Sequence, residues 1–158
     1  MGIYFNPNNM SFSSDKNSKI YVDKTILIEY LNGNLCKNTK CLAVSHARRF
    51  GKSHAAGMID AYYSLGCDST KLFENTKLSQ TPDYKKYMNK YNVIHLDISS
   101  FWDFHKDDII ETIIEYICDE LKEEGPADID FSKSINSVLA QIYMKTNIPF
   151  IIIIDEWD

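Results

Sequence analysis

Short continuous apolar runs alternate along this chain with longer stretches whose apolar residues recur at helical spacing. Cys41-Leu42-Ala43-Val44 is bounded by polar residues and predicts a strand buried in a sheet. Asn92-Val93-Ile94-His95-Leu96-Asp97-Ile98 predicts a second, parallel strand, and Phe150 followed by isoleucine at 151–154 a third, since β-branched runs suit strands covered on both faces. Helical spacing appears in four places. One helix leaves the first strand, from Ser53 to Leu65; another starts at Asp23, buries Ile26, Leu27, Tyr30 and Leu31, and stops at Asn32-Gly33. A third carries Ile109, Ile110, Ile113, Ile114, Ile117 and Leu121 inward, and after a Gly125-Pro126 break a fourth runs from about Ser132 to Lys145 on Ile135, Val138, Leu139 and Ile142. Residues 6–19 read as an ordered-to-flexible lead-in, and 67–90 as a connector with a short helix at Tyr84 to Met88 capped by Asp83.

Strands alternating with helices predict an α/β fold around a mainly parallel sheet, and 158 residues fit a single domain. Within it, residues 1–40 form a lead-in and helix, and 41–158 the core that would carry the site. With 17 basic and 22 acidic residues the net charge is −5, so the field of the whole molecule repels nucleic acid. The acids at 107, 108, 111, 115, 119, 120, 123 and 124 read as the solvated face of the third helix. Cys36, Cys41, Cys67 and Cys118 show no C-x-x-C pair and no zinc spacing and read as reduced thiols. No apolar run approaches the roughly 20 residues a membrane helix needs, and the start carries no secretory pattern, so a cytoplasmic location without membrane attachment is expected.

The chemistry concentrates where the first strand meets its helix. Residues 45–53 end in Gly51-Lys52-Ser53, the tripeptide that closes a phosphate-binding loop of the form G-x-x-x-x-G-K-[ST]. Amides at a helix N-terminus are unsatisfied and the helix dipole is positive there, so an anion is stabilised. In this reading His46, Arg48, Arg49, Phe50, Gly51, Lys52 and Ser53 surround a nucleotide's phosphates, with Lys52 on the terminal phosphates and the Ser53 hydroxyl on Mg2+. His46 stands where the pattern has glycine, which weakens the first turn. Taken alone, Gly-Lys-Ser fits a basic helix start on a solvated surface equally well.

A second feature shifts the balance. The isoleucine strand ends in Asp155-Glu156-Trp157-Asp158, so its acids emerge at a strand end, where ligands of parallel sheets bind. Asp155 would hold Mg2+ and Glu156 would polarise the attacking water, as in a Walker B segment; the plainer alternative is carboxylates that merely solvate a strand end. Among the histidines, His95 alternates with apolar residues and reads as a hydrogen-bonded, semi-buried group, and Asp97 as a turn or cap.

Gly2-Ile3-Tyr4-Phe5-Asn6-Pro7, Ile20-Tyr21-Val22-Asp23-Lys24-Thr25, Arg48-Arg49-Phe50-Gly51-Lys52-Ser53, Tyr91-Asn92-Val93-Ile94-His95-Leu96-Asp97 and the closing Ile-Asp-Glu-Trp-Asp together resemble the bacterial AAA-ATPase-like family. The resemblance implies a three-layer P-loop NTPase core that binds ATP and Mg2+, typically followed by a nuclease-like domain of the PD-(D/E)xK type. Family members usually carry Arg-Pro where this chain has His46 and Ala47, a departure that bears on affinity rather than fold. The resemblance also implies a sensor strand, lying beyond Asp158 in sequence, that inserts between the P-loop strand and the Walker B strand, along with a further edge strand, any arginine finger and the nuclease-like domain, through which alone nucleic acid would be met. The sheet is therefore expected to be incomplete after the Walker B strand. Residues 41–45 would then pair directly with 150–154, a groove would remain, or a homo-oligomer or protein partner would supply a strand. As an isolated chain it is expected to bind nucleotide with weak or absent hydrolysis, Lys52 and Glu156 being the catalytic pair. The other reading is a freestanding binding module or inhibitor acting through protein contact without turnover.

Overall fold

The computed structural model describes residues 2–45, 50–102 and 108–156. Its centre is a parallel pair of strands, β1 (Asn92–Asp97) and β2 (Phe150–Asp155), in register from Asn92 opposite Phe150 to Asp97 opposite Asp155. A parallel pair needs a long crossover. Here it consists of α5 (Ile98–Trp102), α6 (Ile109–Glu124) and α7 (Ile135–Thr146). Upstream lie α1 (Met10–Lys16), α2 (Ile26–Asn34), α3 (Lys52–Tyr63), α4 (Thr70–Phe73) and a 3-10 turn at Leu78–Gln80.

Because side chains alternate across a strand, each face of the pair builds its own core. Val93, Ile151 and Ile153 pack with Met58, Ala61, Tyr62 and Tyr63 of α3, Phe12 of α1 and Ile28 of α2. Ile94 and Leu96 pack on the other side with Ile117 and Leu121 of α6 and Val138 and Ile142 of α7. Helices thus pack on both faces of β1 and on one face of β2, whose Ile152 and Ile154 stay exposed on the other, and the α/β expectation is met.

The far edge of β1 is occupied by the N-terminal segment. Phe5 lies antiparallel to Ile94, the Asn6 amide donates to Val93 O at 2.7 Å, and the His95 amide donates to Tyr4 O at 2.9 Å. The Asn6 side chain closes the ladder by accepting the Val93 amide at 2.8 Å. Glu120 of α6 fastens this segment: its carboxylate accepts the amides of Ile3, Tyr4 and Phe5 at 2.7, 2.9 and 2.7 Å. A β-carbon on Gly2 would lie 2.1 Å from Glu120 Oε2 and 2.9 Å from Phe5 O, so a larger residue there would have to displace the carboxylate that fastens the segment.

Several expectations are corrected. Residues 41–45 form no strand; they are exposed, with Leu42 and Val44 at 37% and 60%, and do not pair with 150–154. A strand requires a backbone partner. The N-terminal segment takes the outer edge of β1, and among the described residues nothing pairs with the outer edge of β2. That edge is open among the described residues, with Ile152 and Ile154 of the same strand at 55% and 54% exposure.

The lead-in is also more ordered than its Asn and Ser content predicts, because Phe12 on α1 is 2% exposed and anchors a helix against α3. The acidic face of α6 is not wholly solvated, since Glu120 is recruited by backbone amides. The predicted helix at Tyr84 to Met88 is a series of turns, and regular structure in that connector falls instead at α4 and the 3-10 turn. The helix expected from Asp23 begins at Ile26 and ends at Asn34.

Candidate functional site

Three chain features bring α3 across β1 in the opposite direction to the strands. At its C-terminus the Tyr91 amide donates to Tyr63 O at 3.0 Å, the Leu65 amide donates to Tyr91 O at 2.9 Å, and Ser64 forms a bridge with Tyr91. Asn89, at φ 55°, locks the junction by donating to Ala61 O and Ser64 O, both at 3.0 Å. Partway back along α3, Asp60 meets His95 near the middle of β1. A helix rises about 1.5 Å per residue, so its N-terminus at Lys52 points toward the carboxyl ends of the strands. Asp97 and Asp155 lie at those ends as register partners.

At the start of α3, Gly51 occupies the left-handed region, with φ 76° and ψ 43°, where a side chain is disfavoured. Lys52 is the first helical residue and half-buried, and Ser53 is exposed in the first turn. Phe50 is 57% exposed. Lys24 donates to the carbonyls of Phe50 and Gly51, the latter at 3.3 Å. A β-carbon at Gly51 would lie 2.8 Å from Lys24 Nζ, so the glycine answers to this ammonium as well as to its φ. His46, Arg48 and Arg49 lie outside the described residues, as do His105 and Trp157. His54 points away from the loop chemistry, to Asp15 Oδ2 at 2.7 Å.

At the strand ends, Asp155 is half-buried and its Oδ1 accepts the Glu156 amide at 3.0 Å. Glu156 is exposed at φ 50°. Asp97 Oδ1 accepts the Ser99 amide at 3.0 Å and the Ser99 hydroxyl at 2.7 Å, the turn role read from the sequence. Beneath these acids, His95 Nδ1 and Asp60 Oδ2 are 2.6 Å apart, with side-chain exposures of 19% and 6%. Burial pushes the Asp60 carboxyl up from the ordinary carboxylate range, and its bond to His95 pulls only part of the way back. Burial alone would lower the His95 imidazole, but the Asp60 hydrogen bond and the charges of Asp60, Asp155 and Asp97 outweigh it and raise the imidazole above its ordinary value. Asp60 Oδ1 is buried without a hydrogen-bond partner.

The structure thus puts Gly51, Lys52 and Ser53 at the start of α3 and Asp155 and Glu156 at the end of β2, and His95 is hydrogen-bonded and semi-buried as expected. Sequence reasoning misses Asp60 and Lys24. An acid inside the apolar helical stretch Met58-Ile59-Asp60-Ala61 was the available signal for the first, and the polar Asp23-Lys24-Thr25 step ahead of an apolar helix for the second.

The chain matches, over residues 10–158, the model of the AAA-ATPase-like family, described as "Predicted AAA-ATPase". It belongs to that family. No curated protein and no solved structure matches it. Membership suggests a nucleotide-binding function, and among the described residues no helix is long and apolar enough to cross a membrane.

Proposed function

We propose that the chain is a P-loop NTPase-like domain that binds ATP with Mg2+ and, by itself, turns it over slowly or not at all. The observation that carries this reading is the left-handed Gly51 opening α3 into Lys52 and Ser53, at the end of the sheet where Asp155 and Glu156 emerge. Family membership supports it. The residues present fit the group. Mg2+ is usually held by one or two protein oxygens together with phosphates and waters, and an exposed Ser53 hydroxyl with the half-buried Asp155 carboxylate supplies hard oxygens of that kind. Magnesium bound there would neutralise phosphate charge.

In this reading the α3 amides and Lys52 bind phosphate, with Phe50, Arg48, Arg49 and His46 on the loop leading into them. Glu156 is the candidate to orient water. Slow turnover follows from its setting, because it is exposed and its carboxylate has no hydrogen-bond partner among the described residues, whereas an effective base is held in place. The test is thermal unfolding with millimolar Mg-ATP. At about 100 times Kd a ligand stabilises by about 2.7 kcal/mol, so a clear rise in Tm that Lys52→Ala abolishes is expected. No shift in the wild type would refute nucleotide binding.

The second reading, a module acting through protein contact, draws on Ile152 and Ile154, exposed on a strand whose outer edge carries no partner among the described residues. A complex that forms equally well with Lys52→Ala and Glu156→Gln would favour it.

A further inference from the structure

We infer that Lys24 is a positioning residue of the phosphate loop, an inference that rests on the nucleotide reading above. Asp23 Oδ1 accepts the Thr25 amide at 2.8 Å and the Thr25 hydroxyl at 2.6 Å, and Asp23 Oδ2 accepts the Lys77 amide at 2.8 Å. Thr25 is fully buried, and its Oγ1 accepts the Leu78 amide at 3.1 Å. The Asp-Lys-Thr step is therefore clamped on both sides to the 77–78 backbone. Lys24, between the two clamped residues, is half-buried and extends to the carbonyls of Phe50 and Gly51.

Those two carbonyls are informative because a trans peptide unit is planar, with its C=O and N–H antiparallel. Holding the Phe50 carbonyl fixes the direction of the Gly51 amide; holding the Gly51 carbonyl fixes that of the Lys52 amide. Both N–H groups are thereby aimed away from the lysine, outward from the helix start. The Gly51 carbonyl also accepts the Ala55 amide at 3.1 Å, so lysine and helix agree on its orientation. Both lysine partners are neutral carbonyls, which leaves the ammonium's positive charge uncancelled by them at the mouth of an anion site. The space it fills is what a β-carbon on Gly51 would take. Lys24 thus orients two phosphate donors and adds charge from a segment far away in sequence.

The test compares Mg-ATP and Mg-ADP affinity by titration calorimetry for wild type, Lys24→Met, Lys24→Arg and Lys52→Ala, alongside the ligand-free Tm of each. Lys24→Met is expected to weaken both nucleotides by about tenfold or more while the ligand-free Tm stays close to wild type, with Lys24→Arg recovering most of the loss. Wild-type binding that Lys24→Met leaves unchanged, or an affinity loss that only tracks a fall in Tm and that arginine does not rescue, would overturn the inference and leave the nucleotide reading standing. A wild type that binds neither nucleotide would overturn both.

Discussion

His95 Nδ1 and Asp60 Oδ2 stand 2.6 Å apart, joining the middle of β1 to α3 under the acids at the strand ends. Removing one member of a buried charged pair is strongly destabilising, by about 3 kcal/mol or more, because the other is left uncompensated. His95→Leu and Asp60→Leu are each expected to lower unfolding free energy by that order, and the double variant by less than the sum. Urea denaturation of the four proteins checks it, and additive losses would contradict the coupling.

The same pair sets a pH dependence. Both groups are raised in the folded protein above their ordinary values, 6.5 for His95 and 3.8 for Asp60. A raised folded value means protons bind the native state more tightly, so the contribution is complete at low pH and is lost as pH rises through the folded value. For His95 the loss begins above about 6.5, as the imidazolium that faces Asp60, Asp97 and Asp155 gives up its proton. Stability measured from pH 6 upward should therefore fall in the wild type and fall less steeply in His95→Gln. A parallel pair of curves would rule out His95 as the titrating group.

Glu120 accepts three consecutive backbone amides. Hydrogen bonds to a charged group are each worth about 1.5–3 kcal/mol, and they share one carboxylate here. Glu120→Ala should lower stability by about 2–3 kcal/mol and speed amide exchange at Ile3, Tyr4, Phe5 and Asn6, with Glu120→Gln milder. Unchanged exchange at these amides would show that the β1 ladder alone holds the segment.

Gly51→Ala meets two penalties, the left-handed φ of 76° and the ammonium of Lys24 at 2.8 Å from the new carbon. The φ term is about 1 kcal/mol. Introducing Gly51→Ala into Lys24→Met should therefore be less destabilising than introducing it into the wild type. Equal losses in both backgrounds would mean that the lysine moves aside without strain.

Glu156→Gln should leave Mg-ATP affinity within about twofold while removing whatever turnover exists, since it keeps shape and removes only the base. Asp155→Asn should instead weaken the Mg2+ dependence of binding. Calorimetry with and without Mg2+, beside a phosphate-release assay, separates the two acids.

The strands at 92–97 and 150–155 were legible because their β-branched runs bury whichever partner they find, and the long helices because their apolar stripes are broad. Cys41 to Val44 has similar apolarity but forms no strand: a strand is a relation to a neighbouring backbone, and apolar patterning does not show whether a segment comes alongside an edge, even one left open as that of β2 is among the described residues. Glu120 was hidden among acids that do face water, since helical spacing cannot tell which of them lies over the N-terminal segment. Asp60 and Lys24 were invisible for a related reason, as their meaning comes from residues 35 and 26 positions away. What reads directly from the sequence is the part of the site made by contiguous residues.

The seal along β1 has a directional consequence. With Tyr4 to Asn6 bonded to one flank, the edge left open for growth among the described residues is that of β2. A strand joining there, from whatever source, would run alongside Ile151 to Asp155 and have one end next to Asp155 and Glu156. Extension of the sheet and completion of the surroundings of those two acids would be one event, with the N-terminal segment acting as the stop that makes the sheet one-sided.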